Sequence, residues 1–312
     1  MGLLVLLLVA VGAVGAPAEA PEAGVPEAGA PEAQAPDGLL VMGVVGREDS
    51  ASAVHGERAV VADPITGEVR VRRLAGGTLC YSHVMAVGDR VLYAGHRGRR
   101  SVLLSLPLSL SGAPRVLSHE RRAGDGRVHP ELPESARLPR WTAVHAVVAG
   151  RLLIQSGRRL LLWDSSLEQP VRTIRDGWIL ATGHSSFAWC GRRCRTLAVW
   201  SDGGEQRVRP PRGTRLYTGH GALSPDGSRL AVPVTEGRGQ RAAVLDLASG
   251  AWTLVPGGQL RGYEAMGWSP SGRWLYFTGR EGRLNAWRVG SPEAVRLPID
   301  TDGTVMSIAT AG

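Results

Sequence analysis

From residue 39 onward the chain alternates short apolar runs with polar punctuation. Runs such as Leu39 to Val45, Ala59 to Ala62 and Thr196 to Trp200 are aliphatic or aromatic and end in Gly, Pro, Asp or Ser, the pattern of strands joined by tight turns. Two stretches repeat closely: Leu223-Ser-Pro-Asp-Gly-Ser-Arg-Leu-Ala-Val232 and Trp268-Ser-Pro-Ser-Gly-Arg-Trp-Leu-Tyr-Phe277, with Ser224 and Ser269 45 residues apart. In each, proline pre-sets φ at the first corner of a turn and glycine suits its exit, so each reads as a β-hairpin.

The same order of segments extends outward from these copies: inner strand, turn, strongly apolar strand, polar loop, third strand, polar fourth strand. A sixth unit takes Tyr263 through Trp274 to Phe277, Leu284 to Val289 and Ala294 to Leu297. A fifth takes Tyr217 to Leu223, Arg229 to Val234, Ala242 to Asp246 and Trp252 to Val255. A fourth opens at Ile179, a third at Thr142 and a second at Tyr81. The first, Leu39 to Val45, Ala59 to Ala62 and Glu68 to Arg72, is one strand short, and Thr304 to Ala309 supplies a spare strand of the inner type. The segment His119 to Arg140 is too polar for a seventh unit. Four short strands per unit at this repeat length predict an all-β fold, a single six-bladed β-propeller whose C-terminal strand closes the first blade and leaves no open sheet edge at that seam. The Ser-Pro-Asp-Gly turn resembles the hairpin of WD40-like and TolB-like propeller repeats. That resemblance spans about residues 39 to 309 and concerns architecture, with little to say about chemistry.

The start of the chain differs. Leu3 to Val14 is an unbroken apolar run followed by small residues (Gly15, Ala16, Ala18), the pattern of a secretory signal and too short to span a bilayer comfortably. After it come Pro-Glu-Ala-Gly-Val, Pro-Glu-Ala-Gly-Ala and Pro-Glu-Ala-Gln-Ala, a stretch with nothing large enough to build a core and a reach of roughly 60 Å as a semi-stiff spacer. The expected organisation is residues 1–18 as signal peptide or apolar anchor, 19–38 as a Pro-Glu-Ala linker and 39–312 as the propeller domain. This implies an extracytoplasmic protein, secreted or attached to the cell envelope.

Charge sharpens the partner question. The net charge is +8, every basic side chain is arginine, and no arginine precedes residue 39, where Glu19, Glu22, Glu27, Glu32 and Asp37 lie. A basic body can attract acidic polymers, anionic lipid surfaces or nucleic acid. Arginine spread over every unit, together with the absence of lysine, also fits a biased codon supply. The expected partner is a protein or an acidic component of the envelope rather than nucleic acid, the expected state is a monomer, and the N-terminal apolar segment is a candidate membrane tether.

Candidate chemistry is sparse. Cys190-Gly-Arg-Arg-Cys194 stands where the fourth unit lacks Ser-Pro-x-Gly, and in an exported chain it reads as a disulfide stapling a hairpin. Cys80 is left over as a small buried hydrophobe. The Gly-His pairs at His96, His184 and His220, and the Trp163-Asp164 pair, resemble WD40 structural positions. A single asparagine, Asn285, argues against a lactonase-like metal set, and neither sialidase-type nor quinoprotein-type boxes are complete. The function expected is a non-catalytic binding scaffold without cofactor or metal. The alternative is an unrecognised propeller hydrolase or lyase with its site in the central channel. The link His119 to Arg140 is the longest between units, and Arg121, Arg122, Arg127, Arg137 and Arg140 are its candidate partner-binding residues.

Overall fold

The computed structural model describes residues 35–46, 57–74, 84–97, 100–117, 142–156, 158–164, 167, 169–191, 194–201, 203–217, 221–237, 239–260 and 265–312. Among them every regular element is a strand. In chain order these are β1 (Leu39–Gly46), β2 (Glu57–Ala62) and β3 (Val69–Arg73); β4 (Met85–Val87), β5 (Arg90–Arg97), β6 (Arg100–Pro107) and β7 (Arg115–Val116); β8 (Thr142–Val148), β9 (Arg151–Ser156), β10 (Arg159–Asp164) and β11 (Gln169–Arg175). There follow β12 (Trp178–Thr182), β13 (Ser186–Cys190), β14 (Leu197–Ser201) and β15 (Gly204–Val208); β16 (Thr214–Leu216), β17 (Gly221–Leu223), β18 (Arg229–Glu236), β19 (Gly239–Asp246) and β20 (Trp252–Leu260); β21 (Met266–Trp268), β22 (Trp274–Thr278), β23 (Leu284–Arg288) and β24 (Ala294–Arg296); and β25 (Gly303–Ala311).

Strands pair antiparallel with their chain neighbours into sheets ordered β4-β5-β6-β7, β8-β9-β10-β11 and β21-β22-β23-β24. The last strand joins the first ones in the order β25-β1-β2-β3. It pairs with β1 from Leu39 opposite Ala311 to Gly46 opposite Gly303, with a bulge between Gly43 and Val44. The spare C-terminal strand thus supplies the partner that β1 lacks in sequence.

Apolar side chains fill the spaces between sheets, and the period-2 pleat explains how one strand serves two of them. Along β1, Leu40, Met42 and Val44 pack with Tyr276, Trp274 and Ala286 of the last sheet, while Val41 packs with Val91, Tyr93 and Leu106 of the second. Along β2, Val60 and Ala62 go one way, Ala59 and Val61 the other. Further clusters join the β4–β7 sheet to β8–β11 and on to Phe187 and Trp189, the β12–β15 strands to β18 and β19, and β18–β20 to β21–β23. Strands buried on both faces give the continuous apolar runs seen in sequence.

Two features were not anticipated. Of the fifth inner strand, expected from Tyr217 to Leu223, the described strand part is β17, and an additional strand β16 precedes it; both pair with β18. In addition, β12 and β17 pair in parallel, Ala181 beside Gly221 and Thr182 beside Ala222, which fuses two sets of strands into one sheet. Gly221 permits this approach. A Cβ there would sit 2.6 Å from the Leu180 carbonyl oxygen and would also strike that of Ala231.

Candidate functional site

The two repeated hairpins close by the same chemistry. In the first, the Ser224 hydroxyl donates to the Asp226 carboxylate at 2.6 Å and accepts from the Arg229 N–H at 2.9 Å, and the Ser228 N–H donates to Asp226 at 3.0 Å. The Gly227 N–H closes the turn onto the Ser224 carbonyl at 2.8 Å, with Gly227 at φ 69°. The Ser224 hydroxyl and the Ser228 N–H hold the Asp226 carboxyl down at about 2.

In the second hairpin Ser271 stands where Asp226 stands in the first. The missing carboxylate comes from Asp37, which accepts from the Ser271 N–H at 3.0 Å and its hydroxyl at 2.8 Å. The Asp37 carbonyl also accepts from the Tyr276 hydroxyl at 2.6 Å, and burial followed by the nearby Asp37 charge raises the Tyr276 phenol. Asp37, assigned to the linker in sequence, is therefore tied to the last sheet.

These hairpin turns surround a cavity of about 700 Å³ to which β4, β8, β12, β17, β21 and β25 all contribute lining residues. Side-chain and backbone bonds stitch its wall. The Ala149 N–H donates to the His184 carbonyl at 2.8 Å, joining the turns after β8 and β12. Trp268 Nε1 donates to the Ala222 carbonyl at 3.0 Å, joining β21 to β17. The Thr310 hydroxyl donates to the Trp268 carbonyl at 2.6 Å, joining β25 to β21. Ser307 Oγ accepts from the N–H groups of Gly43 at 3.2 Å and Val84 at 3.1 Å, tying β25 to the bulge in β1 and to the start of β4. Ser307 carried no sequence signal, because its role comes from a long-range contact rather than a local motif.

The described lining is mostly apolar, with Met85, Val87, Leu223, Met266 and Ile308 among it, and its titratable side chains are His145, which is buried, and His184, which is exposed at the rim. A surface of this kind suits an apolar or uncharged group entering from the turn side. Another groove, of about 840 Å³, is lined by Arg283, Arg296 and Asp300 among others. We favour the first cavity as the candidate site because β4, β8, β12, β17, β21 and β25 all converge on it.

Of the residues singled out in sequence, Cys190 and Cys194 form a disulfide with Cα atoms 4.9 Å apart. It closes the turn after β13, where the Cys194 N–H donates to the Gly191 carbonyl at 2.9 Å. Asp63-Pro-Ile-Thr-Gly67 and Asp246-Leu-Ala-Ser-Gly250 form matching turns. Asp63 accepts from the Thr66 and Ile65 N–H groups at 3.0 and 2.8 Å, and Asp246 from the Ser249 N–H at 2.8 Å. Those bonds lower both carboxyls. Arg121, Arg122, Arg127, Arg137 and Arg140, the apolar run Leu3 to Val14, the spacer repeats, Cys80 and His220 lie outside the described residues.

No family model matches the chain, and no curated relative does. Among solved structures it is similar to TolB from Acinetobacter baumannii, at 16% sequence identity and a TM-score of 0.55 over 88% of this chain and 67% of that one. The likeness is one of fold.

Proposed function

We propose that this chain is an exported, non-catalytic, six-bladed propeller, closed by β25 against β1, that acts as a protein-binding scaffold with the turn-side mouth of its axial cavity as the docking point. The observation that carries the reading is the cavity itself, about 700 Å³, walled by one strand from each of six sets. Core clusters between successive sheets, including the one joining last to first, support the closed ring. The TolB-like fold supports a scaffold that binds protein. The disulfide suits an oxidising compartment.

The test is capture from cell-envelope fractions with the full chain and with His184→Trp, which places an indole at an exposed position on the rim. A partner recovered with the wild type and lost with His184→Trp supports the mouth as the site. Equal recovery moves the site elsewhere.

A further inference from the structure

The topology gives the strand sets two faces that differ in charge. The turns between first and second strands, marked by Gly88, Gly150, Gly183, Pro225 and Pro270, all rim the axial cavity. The turns between third and fourth strands lie at that same end of each antiparallel set. Five aspartates lie there: Asp226, Asp63, Asp246 and Asp164 each accept a turn N–H, and Asp37 caps the Ser271 turn, whereas Asp302, Glu236 and Glu281 lie at the opposite ends, paired with Arg58, Arg241 and Arg283. The opposite ends of the strands carry arginine. There, Arg58 stands directly opposite Arg73, Arg97 opposite Arg100 and Arg159 opposite Arg175, in three consecutive sheets. In the next set Arg195 and Arg209 flank the Leu197–Val208 pair at the same end.

Like charges in direct cross-strand register destabilise a sheet, so this recurrence runs against folding stability. Asp302 offsets Arg58 at 3.8 Å. Among the described residues no ion pair is made by Arg73, Arg159, Arg175, Arg195 or Arg209, and all of them are exposed. Codon supply explains why the cations are arginine; it does not explain why arginine faces arginine across neighbouring strands at the same end of three consecutive sheets. Trp178 begins β12 at this end, opposite Cys190, and is 51% exposed. Tryptophan beside cationic side chains is the composition of a membrane–water interface.

We propose that this arginine face docks on an anionic lipid surface. Equivalent strand ends around a ring form a two-sided array rather than a groove, which fits a plane of phosphate headgroups better than a single acidic strand. Guanidinium groups bind phosphate in a bidentate fork, and Trp178 would enter the headgroup layer. The inference is independent of the axial mouth and of any partner there.

The test measures partition of the full chain onto vesicles of phosphatidylcholine alone and of phosphatidylcholine with phosphatidylglycerol, because the N-terminal apolar run can itself bind lipid without regard to charge. Binding to the anionic vesicles is expected to exceed binding to neutral ones by about a hundredfold or more, and to weaken as salt is raised. Arg159→Ser with Arg175→Ser should lower anionic binding by about 25-fold, at about fivefold per arginine, and leave neutral binding alone. The melting temperature of that double variant should equal or exceed the wild type, since a repulsive pair is removed, which separates lost binding from lost fold. Arg115→Ser, on an exposed residue at the turn side, should change little, and Trp178→Ser should weaken binding to vesicles. Equal binding to both vesicles, or an effect of Arg115→Ser as large as that of Arg175→Ser, overturns the proposal. So does displacement from anionic vesicles by heparin at equal charge concentration, which would assign the face to a soluble polyanion.

Discussion

Moving one carboxylate tests whether Asp37 replaces the aspartate missing from the last hairpin. Asp37→Ala removes two bonds to Ser271, at 3.0 and 2.8 Å, and leaves the backbone contact with Tyr276 in place. Bonds to a charged group contribute about 1.5–3 kcal/mol each when buried, and a half-exposed turn cap about 1–2 kcal/mol in total. Asp37 is half-buried, so the expected loss is about 2 kcal/mol. Ser271→Asp alone recreates the sequence of the first hairpin but sets two carboxylates on one N–H, with an expected cost of about 1 kcal/mol. With both changes the turn satisfies itself as Asp226 does, and stability should return to within about 0.5 kcal/mol of wild type. The coupling is then about 2–3 kcal/mol, at the upper end for residues in contact. Urea unfolding of the four proteins at unchanged slope reads it directly. A double variant as unstable as the sum of the two singles would refute the reasoning.

Other expectations follow from the same geometry. Because the Asp226 carboxyl is depressed to about 2, its contribution is present above the unfolded value near 4 and is lost as pH falls through about 2. Asp226→Asn should therefore cost about 1 kcal/mol near neutrality, after allowing for solvent screening at this exposed turn, and nothing at the acid limit; an equal difference at both ends of the titration is the contrary result. Replacing Cys190 and Cys194 with Ser should cost about 2 kcal/mol for so short a loop, and free thiols at both positions in protein recovered from outside the cytoplasm would contradict the export reading. Deleting Gly303–Gly312 removes buried Val305, Ile308 and Ala311 together with the Ser307 bonds. The loss of about 4 kcal/mol or more is a large share of a domain's stability, and a truncated chain that melts like the full one would count against closure by β25.

Strand placement was legible wherever both faces of a strand are buried. Thr142 to Val148 coincides with β8, and Ala59 to Ala62 falls within β2, because a run such as Ala59-Val-Val-Ala62 leaves no polar position for the solvent. For the fifth inner strand, expected from Tyr217 to Leu223, β17 covers Gly221–Leu223, while hydrophobicity gives no sign of β16, Thr214–Leu216, just before it. The Cys190–Cys194 pair and the Asp-x-x-Ser/Thr-Gly turns were local and visible. What could not be read was anything assembled across distance: Ser307 binding Val84 and Gly43, Trp268 binding Ala222, and Asp37 completing a turn centred on Ser271. The candidate cavity is built from such contacts, so its wall appears in no single motif.

The segregation of charge shows how local turn chemistry produces a property of the whole fold. Ser-Pro-x-Gly and Asp-x-x-Ser/Thr-Gly turns present free N–H groups to a short acidic side chain, and glycine at φ 69° or 72° lets the chain exit. Aspartate is favoured at these positions for that reason alone. Because the strands of each set are antiparallel, every such turn falls at one end. The other end lacks these turn-bound aspartates; there Asp302, Glu236 and Glu281 offset Arg58, Arg241 and Arg283, while Arg73, Arg159, Arg175, Arg195 and Arg209 make no ion pair among the described residues. An aspartate placed among Arg159, Arg175 and Arg195 would relieve repulsion at little cost to the turns, yet the neighbouring acid, Asp176, is exposed at φ 53° and makes no ion pair among the described contacts. Turn chemistry therefore accounts for the aspartates at the turn end, and the proposed anionic surface would compensate the arginines left unpaired at the other.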